Sequence, residues 1–177
     1  MDETVGAVGE ALCCAAAVRL GGAARVLADR AGLSDHYGLV AAGVDGIVAS
    51  LDGQGRDDSV LGSAFGANWT LGARYPAELP GGTFLGKWTQ LVFVALVLTR
   101  PRQQQLAAVQ GLDAALEAAA AWPSDVRAGS FMRLADFEQA CRQAAEERLR
   151  EGGLPALWKL AGAQSEHYRR AAELLVG

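Results

Sequence analysis

Apolar side chains recur every three or four residues through most of this chain, the period of an α-helix that hides one face. Between residues 3 and 31 they fall at Val5, Val8, Leu12, Ala16 and Leu20, then at Val26 and Leu27, with Gly21-Gly22 between the two groups. That spacing predicts a helix broken or bent at the glycines. Gly32 suits the position just past its end, and Ser34-Asp35 offers an N-cap for a second helix striped by Val40, Val44, Ile47, Val48 and Leu51. The two helices are expected to form a hairpin.

From Asp52 to Thr83 the pattern dissolves among seven glycines and Pro76 and Pro80. A structureless connection of that length is uncommon in a compact domain, so the segment either holds short elements or serves a function. A short helix or turn is expected near Val60 to Asn68.

Phe84 to Thr99 is apolar on nearly all sides, which predicts a central buried helix; a strand over Leu91 to Leu98 is the rival reading. Pro101 suits the first turn of the next helix, whose stripe Leu106, Val109, Leu112, Leu116 and Ala119 runs to Trp122, where Pro123 stops it. Ser130 is placed to cap a further helix burying Leu134, Phe137, Cys141, Ala145 and Leu149. On its wet face Glu138 with Arg142 and Glu146 with Arg150 have the i,i+4 spacing of ion pairs. Gly152-Gly153 ends it, and Pro155 opens a last helix along Leu157, Leu160, Ala161, Gln164, Tyr168, Ala171 and Leu175. The expected fold is all-α: a single-domain bundle of about six helices over residues 1–177, with one long Gly-rich connection at 52–83.

Composition narrows the role. Net charge is −4 with no basic block, which argues against nucleic acid as a partner. Cys13, Cys14 and Cys141 are odd in number and include an adjacent pair, which argues for free thiols in a reducing compartment, the cytoplasm by default. The start Met1-Asp2-Glu3-Thr4 is acidic where a secretory signal is basic. The most apolar run, Leu91 to Leu98, is eight residues long, against the roughly 20 that a membrane span needs. No membrane association is expected.

Gly81 to Lys87 fits the first seven positions of the phosphate-binding loop G-x-x-x-x-G-K-[ST], but Trp88 stands where a hydroxyl should hold Mg²⁺ and no strand precedes it. A glycine turn entering the next helix is the simpler reading. The two histidines lie in similar tetrapeptides, Ser34-Asp35-His36-Tyr37 and Ser165-Glu166-His167-Tyr168. Sequence neighbours on a helix point about 100° apart, so each carboxylate and its histidine converge poorly on a metal. No cofactor or metal is expected, and no catalytic group is assembled by any linear motif. What remains is the Gly-rich segment, where Asp57, Asp58, Asn68, Trp69, Arg74 and Tyr75 are of the kinds that make binding surfaces. In the plainer reading Trp69 and Tyr75 only anchor a long connection.

The stretch Phe84-Leu85-Gly86-Lys87-Trp88-Thr89-Gln90-Leu91-Val92-Phe93-Val94-Ala95-Leu96-Val97-Leu98-Thr99-Arg100, followed by Gln105-Leu106-Ala107-Ala108-Val109, resembles the central helix pair of certain helical bacterial immunity proteins, which protect the producing cell by binding a polymorphic toxin. The resemblance spans about 25 residues, from around Trp88 to Val109, and implies a protein partner without assigning any residue a role. The leading expectation is therefore a protein-binding helical protein, of the toxin-neutralising kind, that docks through the 52–83 segment and the adjoining helix ends. The alternative is a small enzyme or small-ligand-binding protein with a site between helices and that segment, with Asp57, Arg74, Glu166 or His167 turned inward. A homodimer through the many small residues on helix faces is the third expectation.

Overall fold

The computed structural model describes residues 3–75, 80–98, 104–122, 127–128 and 132–177. Among them the chain forms six helices: α1 (Glu3–Arg30), α2 (Ser34–Leu51), α3 (Asp58–Arg74), α4 (Gly82–Leu98), α5 (Gln104–Ala120) and α6 (Leu134–Val176). A two-residue antiparallel ladder, β1 (Arg127–Ala128) with β2 (Met132–Arg133), leads into α6. The all-α bundle read from the apolar period is the observed architecture. Pro76, Pro101, Pro123 and Ser130, named above as punctuation, lie outside the described residues, as do the side chains of Val5 and Leu106.

α1 holds the middle of the bundle. Seven consecutive residues, Ala11 to Ala17, are buried, so every face of nearly two turns is covered. α2, α4, α5 and α6 surround it. The helix runs through Gly21-Gly22 without the expected break. The glycines serve packing instead: a β-carbon on Gly22 would sit 2.1 Å from the Ser165 carbonyl oxygen, so only glycine lets α1 and α6 approach this closely. By length and composition Val8–Arg30 could cross a membrane, and 78% of its most apolar window is buried against the rest of the fold.

α4 shares the interior, with Phe84, Leu85, Trp88, Leu91 and Val92 buried and helical throughout, so the strand alternative is excluded. The Trp88 indole N–H donates to the Ala17 carbonyl at 3.0 Å, tying α4 to α1. α2 packs on both α1 and α3. Its N-cap is Leu33 rather than Ser34, because Gly32 (φ 69°) closes α1 so tightly that Ser34 and Asp35 already occupy the first turn of α2.

The Asp52–Thr83 segment is the main correction. In place of a short helix or turn it holds the full-length α3. Asp57 caps that helix, its carboxylate accepting from the Ser59 and Val60 amides at 2.9 and 3.3 Å. The buried stripe Leu61, Ala64, Asn68, Leu71 and Tyr75 keeps helical spacing, but small and polar members disguise it.

α6 is two helical rods joined at Gly153, whose φ of 67° and ψ of −164° are open to glycine and strained for any other residue. The break falls where Gly152-Gly153 predicts it, with Pro155 in the first turn of the second rod. The first rod begins at Leu134 behind Arg133, not at Ser130.

A second correction concerns charge. Glu138 is not on the wet face: it is 1% exposed and paired with Arg19 of α1, also 1% exposed. Arg19 Nε donates to Glu138 Oε2 at 2.9 Å, its Nη2 binds Oε1, and the Tyr168 hydroxyl donates to Oε2 at 2.8 Å. Arg142, the expected partner of Glu138, reaches Glu146 instead, at 3.7 Å.

Candidate functional site

A groove of about 770 Å³ opens between α3, α4 and α5. Helical period decides which residues face it. On α4 the stripe Gly82, Gly86, Gln90 and Phe93 is the least greasy side of an otherwise apolar helix, and it forms one wall. α3 supplies Asn68, Trp69 and Gly72, and α5 supplies Gln110 and Ala114. A β-carbon on Gly72 would lie 3.0 Å from the Thr89 hydroxyl, so the two helices cross closely at this point.

Asn68 ties the crossing together. Its Nδ2 donates to the Thr89 carbonyl at 2.9 Å, while Oδ1 is buried and has no partner among the described residues. Turning the amide over would set two acceptors against each other, so this orientation is the favoured one. Tyr75, also on the groove wall, donates its hydroxyl to the Pro80 carbonyl at 2.8 Å, and burial pushes its pKa up. Lys87 is the one charged side chain among the described lining residues, and it is paired with Glu117 of α5 at 2.5 Å.

Aromatic surface spills over one edge. Trp69 is 75% exposed; Phe65, one turn before it on α3, is 43% exposed, and Phe93 on α4 is 42% exposed. Phe65 and Phe93 meet with ring centroids 5.3 Å apart, bridging the two helices. Among the described residues Val8, Leu39, Val109 and Leu174 are the other large apolar side chains as open to water, and none of the four is aromatic.

The six residues singled out from the sequence divide between roles. Asn68, Trp69 and Tyr75 come together on the groove, with Tyr75 acting as an anchor of the connection and Trp69 pointing out to water rather than anchoring anything. Asp57 is the cap of α3, and Asp58 lies in an exposed ion pair with Arg56 at 2.8 Å. Arg74 is exposed and does not line the groove. Sequence reasoning did not single out Phe65, Gln90 and Gln110, took Gly86 only as part of a glycine turn, and assigned Phe93 to the core. Phe65 falls one position off the buried stripe of α3, which was the available signal.

The remaining chemistry-bearing side chains lie elsewhere. Glu166 accepts from Arg169 and Arg170, and the Arg169 hydrogen bonds foremost hold its carboxyl down near 2. His167 is exposed with its ring against Phe137. Among the described residues no three His, Cys, Asp or Glu side chains gather as metal ligands would. All three thiols are buried; desolvation pushes Cys13 and Cys141 up to about 12, and the Cys13 thiol donates to the Ala108 carbonyl. Comparison with protein-family models, with curated proteins and with solved structures finds no match to this chain.

Proposed function

We propose that this chain is a cytoplasmic protein-binding helical protein, of the toxin-neutralising kind, that meets its partner on the aromatic face of α3 and α4. The observation behind this reading is Trp69, 75% exposed beside the Phe65–Phe93 contact at the lip of the groove. An indole left in water forgoes burial worth about 2 kcal/mol or more, and tryptophan is enriched among the residues that dominate protein interfaces. Free buried thiols suit a reducing compartment, and an acidic chain suits a basic partner.

The test is affinity capture of the native partner by the wild-type chain and by Trp69→Ala, followed by titration of the captured protein. Truncating a hot-spot tryptophan should weaken binding about tenfold or more. Capture that is indifferent to Trp69, Phe65 and Phe93 alike would remove this face from the reading. Light scattering supplies the other arm: a dimer that Trp69→Ala converts to monomer assigns the face to self-association and displaces the heterologous partner.

A further inference from the structure

Four features of the groove point to the chemistry of what enters it. Gly86 sits on the α4 wall inside a helix, where glycine is the least favoured residue after proline, and beyond its own turn of helix nothing lies within 4 Å of where its β-carbon would be. At Gly72 a neighbouring helix explains the missing side chain; at Gly86 only open groove does. Charge is the second feature. The single charged lining residue, Lys87, is already matched by Glu117, so an anion or cation entering the groove meets no unpaired countercharge among the described lining residues. Third, Gln90 and Gln110 place two exposed carboxamides on the walls, while Asn68, with Nδ2 bonded to the Thr89 carbonyl and Oδ1 sealed from solvent, braces the crossing beside them. A carboxamide offers the same donor and acceptor pair that a peptide group offers, so the two are mutual complements. Fourth, Trp69 and Phe93 give the walls aromatic faces suited to an apolar side chain.

We propose that the groove receives an uncharged, extended peptide segment of the protein partner, with main-chain amides met by Gln90 and Gln110 and one apolar side chain occupying the space over Gly86. This rests on reading the chain as a protein binder and adds what it binds. The volume fits the range of pockets that enclose organic ligands, enough for a short run of residues and far more than an ion needs.

The experiment pans a phage-displayed library of random linear heptapeptides on the immobilised full-length chain, in parallel with Gly86→Leu, which fills the space, and Gln90→Ala, which removes one amide at an exposed position. Wild type should enrich uncharged peptides bearing an aromatic or branched aliphatic residue, about tenfold or more over either variant. Both variants should melt no lower than wild type, and should one of them do so, the other decides. Equal enrichment on wild type and a folded variant, enrichment of charged peptides, or no enrichment on wild type overturns the inference. The two readings fail separately: a partner lost by Trp69→Ala but retained by Gly86→Leu removes the groove peptide and keeps the docking face. Peptides enriched where no protein is captured do the reverse.

Discussion

The Arg19–Glu138 pair permits a quantitative test of how the bundle is held together. Both side chains are about 1% exposed, the contact is bidentate, and the Tyr168 hydroxyl fills a further lone pair of the carboxylate. Burial opposes the charge on Arg19, and the neighbouring carboxylate more than offsets it, so the guanidinium pKa stands above its ordinary value. Glu138→Gln preserves the shape but strands that guanidinium in a water-free interior. Removing one partner of such a pair costs about 3–5 kcal/mol, or roughly 6–20 °C in Tm for a chain of this size. Tyr168→Phe removes one hydrogen bond to a charged group and should cost about 1.5–3 kcal/mol. The double variant Arg19→Met with Glu138→Leu deletes both charges while keeping volume, a gain of up to about 4 kcal/mol, but leaves the buried Tyr168 hydroxyl without its acceptor at a cost of about 1–3 kcal/mol, so it is expected to lie within about 3 kcal/mol of wild type. Urea unfolding followed by tryptophan fluorescence and circular dichroism, with m compared across variants, measures all three. The double variant should thus lie far from the sum of its singles. A Glu138→Gln cost under about 1 kcal/mol, or additive singles, would falsify the claim that this pair is sealed from water.

Glycine positions should respond in opposite directions. Gly22→Ala forces a β-carbon against the Ser165 backbone and should destabilise by about 1–3 kcal/mol, whereas Gly86→Ala meets open space and should stabilise by up to about 1 kcal/mol, both read from urea midpoints. All three thiols should resist a disulfide reagent in the native state and react together on unfolding; a fast-reacting thiol at pH 8 would contradict their burial. Cys13 has its pKa raised from 9.0 to about 12, so the unfolded chain ionises first as pH rises. Its contribution to stability is therefore intact below pH 9 and lost between 9 and about 12, by roughly 1.4 kcal/mol per pH unit, and Cys13→Ala should flatten that slope.

Helices whose stripes are built of large apolar residues were legible from the chain alone, α4 most plainly. α3 was not, because Ala64 and Asn68 occupy turns where Leu or Val would have announced a buried face, and three glycines outside that stripe imitate a loop. The ion pair was hidden differently. Leu134, Glu138, Cys141 and Ala145 follow one another at helical spacing, as do Leu12, Ala16, Arg19 and Ala23, so each stripe carries one charge of opposite sign. Arg142 four residues on from Glu138 supplied a more familiar partner and drew the acid to the surface. Of the site, Asn68, Trp69 and Tyr75 were visible as polar and aromatic residues in a glycine-rich stretch. The α4 wall was not, since a run as greasy as Leu91 to Leu98 gives no hint that Gly86, Gln90 and Phe93 line a groove.

The helix that α2, α4, α5 and α6 wrap is α1, yet α6, which shields much of it, leaves the ribosome about 100 residues later, some 5–20 s at ordinary translation rates. Throughout that interval the nascent chain displays an alanine-rich rod long and oily enough to adhere to a lipid bilayer or to its neighbours. Synthesis interrupted before Leu134 should therefore yield aggregates or chaperone-bound fragments rather than a smaller working protein.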